Sequence, residues 1–250
     1  MAGLAVLERE IEVDTGKWGR FYFVGSVVTD PTTRLQGYQR ELFHAVEEQA
    51  EIEKIDGIIL WSSQYSFYEK LDFFLGGLQG TWSIQSPNTS SLAAGVGEVQ
   101  VVERGPKAFK PNYLTAFQAH SCVVKRSEDE MRLLFQIPNM KIASTKNAYA
   151  LFGKGEDFQK VCHEWSGPAE EVLQCLEALR RLEPGMKILS PGVLHSEDDR
   201  RVVAKIEQSG YESRLEYLGL FKLMSNQFKK SDFDPANLKM PFFIWGLDSI

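Results

Sequence analysis

The sequence predicts a mixed α/β fold, a sheet of parallel and antiparallel strands with flanking helices. Three observations carry that prediction. Alternating apolar and charged residues, a Gly-containing turn and a second apolar run read as a hairpin over about residues 4–29. An amphipathic stretch at 38–54 leads into an almost wholly apolar run at 55–61, the pattern of a strand–helix–strand crossover. Beyond residue 127, helical and extended patterns alternate again as far as residue 224.

Within the hairpin, Val6, Glu8, Glu10, Ile11 and Val13 mark an exposed first strand, Thr15-Gly16-Lys17 the turn, and Arg20–Thr29 the second strand. Pro31 ends that strand because proline has no ladder donor. From Tyr38 to Lys54, Leu42, Ala45, Val46 and Ala50 fall at helical spacing, with Glu47, Glu48 and Glu51 on the wet side. Ile55–Trp61 reads as a buried strand. Ser66–Leu71 follows as a helical turn, and Phe73-Phe74-Leu75 enters another strand.

Gly76–Gly97 is rich in Gly, Ser, Thr and Asn and reads as a linker or long loop. Ser127 stands three residues before Glu130, a capping-box spacing that opens a helix to Phe135. Asn147–Phe152 and Gln159–Glu164 are expected strands. Gly167–Leu182 is an amphipathic helix carrying Val172, Leu173, Leu176 and Leu179. Lys187–Leu189 is a strand, Glu197–Ser209 a helix and Glu216–Met224 a final strand. The apolar ending Pro241–Ile250 is expected to dock rather than dangle.

A chain of 250 residues with 43% hydrophobic and 25% charged content can bury a sizeable core, as one large domain or two small ones. The net charge of −6 argues against a general nucleic-acid binder and favours a cationic or amine-bearing acceptor through steering. Cys122, Cys162 and Cys175 form no CxxC pair, so reduced, buried thiols are expected. No apolar run approaches the roughly 18 residues of a membrane span. The first ten residues lack the basic-then-apolar order of a signal peptide, so the expected location is cytoplasmic.

The most informative segment joins the second strand to the helix. Arg34-Leu35-Gln36-Gly37-Tyr38-Gln39 follows an apolar strand and opens a helix, an arrangement that offers free backbone N–H groups and a helix dipole to an anion. This segment resembles the Arg/Gln-x-x-Gly-x-Gly/Ala signature of the GCN5-related N-acetyltransferase (GNAT) superfamily. Thr29-Asp30-Pro31 is similar to that family's Val-x-Pro approach. Phe67-Tyr68-Glu69-Lys70-Leu71-Asp72-Phe73 is similar to its Phe-Tyr-Glu-Lys-Leu-Gly-Phe.

The resemblance implies a GNAT-like fold and acetyl-CoA as cosubstrate, without a metal. The amides around Leu35, Gln36, Gly37, Tyr38 and Gln39 would hold the pyrophosphate, with Arg34 adding charge or bracing the turn. The pantetheine arm would pair with the edge of Val27-Val28-Thr29 as an added strand, where a backbone N–H could polarise the thioester. Tyr68 would protonate the departing thiolate. The implied partner is a small-molecule or peptide amine, with no nucleic acid or membrane and with homodimerisation left open. Trp61, Ser62 and Ser63 either line the acyl pocket or simply end a strand.

Three residues depart from the family pattern. Gln39 replaces the last Gly/Ala, Leu35 a frequent Gly, and Asp72 a Gly where a positive φ is wanted. The family places a first strand and two helices ahead of this motif, whereas only one hairpin precedes Thr29 here, so either the start has been lost or the second half supplies what is missing. No carboxylate occurs in Tyr22–Val28, leaving Glu8, Glu10 and Glu12 as candidate bases or a solvated strand face.

After residue 120 the element order is similar to the same superfamily, but the Arg-x-x-Gly signature is missing. The expected organisation is a cofactor-binding half over 1–100 and a degenerate GNAT-like half over 101–250, in tandem. His163-Glu164 lacks the spacing of a metal pair and is expected to serve packing or domain contact. His44, His120 and His195 are scattered. Two functions follow from the resemblance: an N-acetyltransferase acting on an amine, or a catalytically silent CoA-binding or regulatory protein.

Overall fold

The computed structural model describes residues 1–84, 90–95, 97–105, 109–120, 123–156, 158–194, 196–236, 242–246 and 248. The hairpin is present as β1 (Ala2–Asp14) and β2 (Lys17–Thr29), antiparallel and joined at Gly16, whose φ is +75°. Helix α1 (Tyr38–Glu53) follows, ending on Lys54 in the left-handed conformation. Its buried face is Phe43, Val46 and Ala50. Ala45, expected inward, is exposed, because Phe43 is the residue that completes the stripe with Val46 and Ala50.

Strand β3 (Gly57–Leu60) is buried at every position and runs parallel to β2, as a crossover requires. It precedes a one-turn helix, α2 (Tyr65–Glu69), and then β4 (Phe74–Ile84). The expected loop from Gly76 is thus a strand as far as Ile84. Its glycines imitate loop composition for a packing reason. At Gly77, φ is +65° and an added Cβ would lie 2.7 Å from Leu218 Cβ and 2.8 Å from the Phe242 carbonyl.

Three further elements were not anticipated: β5 (Gln100–Glu103), α3 (Pro111–Gln118) and β6 (Lys141–Ser144). The capping box at Ser127 and Glu130 opens α4 (Glu128–Leu134) as expected. The remaining elements are β7 (Tyr149–Phe152), β8 (Val161–Ser166), α5 (Ala169–Leu182), β9 (Lys187–Pro191), α6 (Glu197–Gln208) and β10 (Tyr211–Leu223).

Among the described residues, ten strands form one sheet in the order β1-β2-β3-β10-β4-β9-β8-β7-β6-β5. The order contains a repeat. In each half an antiparallel pair (β1/β2, β7/β8) leads through a helix (α1, α5) to a parallel strand (β3, β9), then a second helix (α2, α6) and a long strand (β4, β10). The long strands are exchanged. β10 pairs with β3 of the first half, β4 with β9 of the second, and the two pair with each other at the centre. Neither half completes its own sheet.

The chain's end ties the halves further. Phe242, Phe243, Ile244 and Trp245 are buried in the main core, and the Leu78 amide donates to the Phe242 carbonyl at 3.0 Å. The expected docking of the apolar ending holds for these residues, whereas Pro241, Leu247, Ser249 and Ile250 lie outside the described ones. Among the described residues no helix is long and apolar enough to cross a membrane.

Candidate active site

Strands β2 and β3 stay paired only from Phe21↔Gly57 to Val24↔Leu60. Past that point β2 diverges. Ser26 takes a φ of +52°, and the register against β1 slips between Gly3 and Ala5, so β2 carries a bulge there. The splay opens a cleft of about 1260 Å³. Val27, Val28 and Thr29 form one wall, with Val28 largely exposed and the Thr29 hydroxyl buried without a partner.

The floor of the cleft is the start of α1. Gly37 sits at the N-cap with φ +89° and no side chain caps the helix. No acceptor among the described residues takes the amides of Leu35, Gln36, Gly37, Tyr38 or Gln39. These are the orphan donors that an anion satisfies, aided by the helix dipole. Arg34, Leu35, Gly37, Tyr38, Gln39 and Arg40 line the cleft, and Gln36 is exposed beside them. Leu35 has φ +65° with its side chain fully in water, so the position with a frequent family Gly does take a left-handed backbone. Asp72 does the same at φ +65°.

Tyr68, on α2, reaches the same cleft from the far side. Its ring is buried against Phe43, Phe67 and Phe73 in edge-to-face contacts. Burial raises the phenol's pKa, and contacts with the Ser62 and Gln39 side chains oppose the rise. Gln39, a departure from the family pattern, therefore turns its amide to the Tyr68 hydroxyl. Trp61 and Ser62 line the cleft; Ser63 is exposed and does not.

Beyond Tyr68 the cleft is closed by Gln79 and Leu218 of the exchanged strands, by Phe158, and by Ile244 and Gly246 of the C-terminal segment. Sequence reasoning missed all five, because they come from distant elements and carry no motif.

The candidate bases lie elsewhere. Glu8 pairs with Arg20 at 2.8 Å, Glu10 with Lys125 at 2.5 Å, and Glu12 accepts the Gly16 amide at 2.7 Å. None of the three lines the cleft.

The second half is arranged differently at the matching places. The start of α5 is closed by the chain itself: the Ala169 amide donates to Asp198 Oδ1 at 3.0 Å. Strand β8 parts from β9 after Cys162↔Ile188, and there the Gly246 amide donates to the His163 carbonyl at 3.1 Å. The C-terminal segment thus fills the second splay.

His163 and Glu164 serve packing. Glu164 makes two 2.8 Å bonds to Arg126, which also holds Asp248, and it accepts from the Tyr149 hydroxyl at 2.7 Å. His163 stacks on Phe158, and its Nε2 lies 3.0 Å from the Gly153 carbonyl. His120 lies 2.8 Å from Ser166 Oγ and 3.6 Å from Asp199, but Ser166 is 1% exposed and the trio packs α3 against β8 and α6. His44 is exposed on α1 beside Glu48, and His195 lies outside the described residues. Cys162 and Cys175 are buried thiols whose pKa values burial pushes up; Cys122 lies outside the described residues.

Residues 1–76 match the family model for the acetyltransferase (GNAT) domain. The fold is similar to that of a GCN5-related N-acetyltransferase from Kribbella flavida, at 18% identity and a TM-score of 0.61 over 89% of this chain and 57% of that one. One from Anabaena variabilis matches at 13% identity and TM-score 0.62, over 89% of this chain and 60% of that one. A conserved protein of unknown function from Enterococcus faecalis, described as a probable N-acyltransferase, matches at 13% and 0.58, over 90% and 59%. The chain therefore spans less than two thirds of each of these proteins. A comparison with curated proteins finds no match.

Proposed function

We propose that this chain, whose residues 1–76 match the family model for the acetyltransferase (GNAT) domain, is an acetyl-CoA-dependent N-acetyltransferase acting on an amine. We take residues 1–100 as the cofactor-binding half and 101–250 as a degenerate partner half that closes the acceptor side. The observation that carries the reading is the row of unpartnered amides from Leu35 to Gln39 at an uncapped helix start, beside a strand edge left open by the splay.

These features fit the group. The amides and Arg34 suit a pyrophosphate. The open edge of Val27-Val28-Thr29 suits an extended, amide-bearing arm, and the unpartnered Thr29 hydroxyl offers it a hydrogen bond. When bound, acetyl-CoA would supply a thioester that an amine can attack. Tyr68 is the proton donor best placed for the departing sulfur, because burial keeps its hydroxyl protonated. The Gln39 and Ser62 side chains lie beside that hydroxyl and favour its ionised form, against the effect of burial.

A silent CoA-binding role is the second reading, favoured by the commitment of Glu8, Glu10 and Glu12 to other partners. Thermal unfolding with CoA tests the binding shared by both readings. CoA should raise the melting temperature of the wild type and not that of Gly37→Glu, whose side chain would stand on the floor of the cleft. No shift in the wild type overturns the cofactor assignment.

A further inference from the structure

The acceptor end of the cleft carries a polar group with a fixed direction. Gln79 Nε2 lies 3.3 Å from Glu216 Oε1 and 3.5 Å from Thr81 Oγ1, and Thr81 in turn donates to the same carboxylate at 3.0 Å. An ionised carboxylate only accepts hydrogen bonds, so the Gln79 amide must turn its NH₂ toward Glu216. Its carbonyl oxygen is then the free end, and Gln79 lines the cleft. No described residue donates to that oxygen.

The rest of this end is apolar: Trp61, Phe158, Leu218 and Ile244. The charged side chains among the described cleft residues are Arg34 and Arg40, both cations and both at the helix start. The carboxylate at this end, Glu216, does not line the cleft and is engaged by Gln79 and Thr81, so an ammonium group here would lose hydration without pairing directly with a carboxylate.

We infer that the acceptor is an amine uncharged at neutral pH on an apolar body, an arylamine by chemical class, and that Gln79 selects it by accepting its N–H. This rests on the reading of the cleft as an acetyl-CoA site, and it replaces the cationic acceptor suggested by overall charge. A neutral amine already has its lone pair, so attack needs no prior deprotonation. The N–C bond forms and the C–S bond breaks. The sulfur takes the Tyr68 proton, and the nitrogen's surplus proton returns to Tyr68 through solvent, leaving an amide and a thiol.

The test uses two isomeric amines of the same size, 4-ethylaniline and 4-methylbenzylamine, with spermidine as a polycation. Each is titrated calorimetrically into the whole protein, with and without CoA, so the result reads whether or not CoA binds. Thermal shift by CoA alone, measured in parallel, judges the cofactor reading separately. The expected order is 4-ethylaniline tightest, with spermidine showing no saturable binding. Gln79→Leu should weaken 4-ethylaniline about tenfold, the loss of one hydrogen bond, while leaving the CoA-induced thermal shift unchanged. Binding of 4-methylbenzylamine or spermidine at least as tight as 4-ethylaniline overturns the inference. So does an unchanged affinity in Gln79→Leu, or binding of none of the three.

Discussion

The Ala169 amide donates to the Asp198 carboxylate at 3.0 Å, so helix α5 begins on an anion supplied by its own chain. Helix α1, at the matching place in the repeat, begins at Gly37 with no cap. The two helix starts have the same dipole and the same orphan amides, and they differ in who satisfies them. Removing the self-cap with Asp198→Ala should cost about 1 kcal/mol, read as a lower urea midpoint. It should not create a second CoA site, because Gly246 still occupies the edge of β8 at His163. Calorimetry should give one CoA per chain in wild type and variant; two in the variant would mean that Asp198, and not the C-terminal segment, keeps the second site closed.

Tyr68→Phe separates turnover from binding. The variant keeps the buried ring and its contacts with Phe43 and Phe73, so CoA affinity should hold within about twofold. Its kcat should fall on the order of 10²-fold, the usual scale for losing a general acid. Burial raises the Tyr68 pKa, so the acid stays protonated past the ordinary tyrosine range near 10. The wild-type rate should therefore fall only as pH rises through that raised value. Full turnover in Tyr68→Phe would remove the residue from the mechanism.

The first half was legible because its chemistry is local. Strand, turn, helix and Tyr68 lie within about fifty residues, each with its own signal: Pro31 as a stop, Gly37 at positive φ, an apolar run from Ile55. Even the departures had readable consequences, since Leu35 and Asp72 adopt the left-handed backbone that glycine would take more cheaply. The exchange of β4 and β10 was not legible. Whether β3 pairs with β4 or with β10 is decided by tertiary packing, because β3 is buried at every position and has no alternation that would select a neighbour. Gly77 misled outright: its role is close approach to Leu218, which looks like a loop in composition alone. The acceptor wall failed for the same reason, since Gln79, Phe158 and Ile244 meet only after the exchange.

Arg126 is the charge on which the C-terminal segment is anchored. It is buried, holds Glu164 and Asp248, and lies 3.7 Å from the centre of the Phe117 ring. Arg126→Met would strand buried carboxylates and should cost about 3–5 kcal/mol by chemical denaturation. Asp248→Asn should cost far less. Burial raises the Asp248 pKa, with the neighbouring Glu164 charge adding to the rise, so less is gained by ionising this group, and Asn keeps an acceptor for Arg126 while Glu164 still supplies a counter-charge. Equal losses in the two variants would mean that both carboxylates are needed as charges.

His163 should write itself into the acid side of the stability profile. Burial lowers its pKa to about 4, and the same group in an unfolded chain titrates near 6.5. At pH above 6.5 both states are neutral and His163 contributes no pH dependence. As pH falls below 6.5 the unfolded chain gains a proton that the folded protein refuses, so stability is lost down to pH about 4 and then levels off. The full span corresponds to about 3 kcal/mol. Glu164, with its pKa lowered chiefly by Arg126 against the cost of burial, loses its contribution only below the ordinary glutamate range. Across the interval between pH 6.5 and 5, the contribution of His163 is read as the difference between the wild type and a variant that cannot titrate there. His163→Gln keeps an N–H for the Gly153 carbonyl and cannot titrate. Urea midpoints across that interval should fall more steeply in the wild type than in the variant, and parallel curves would show that His163 takes up its proton without leaving the fold.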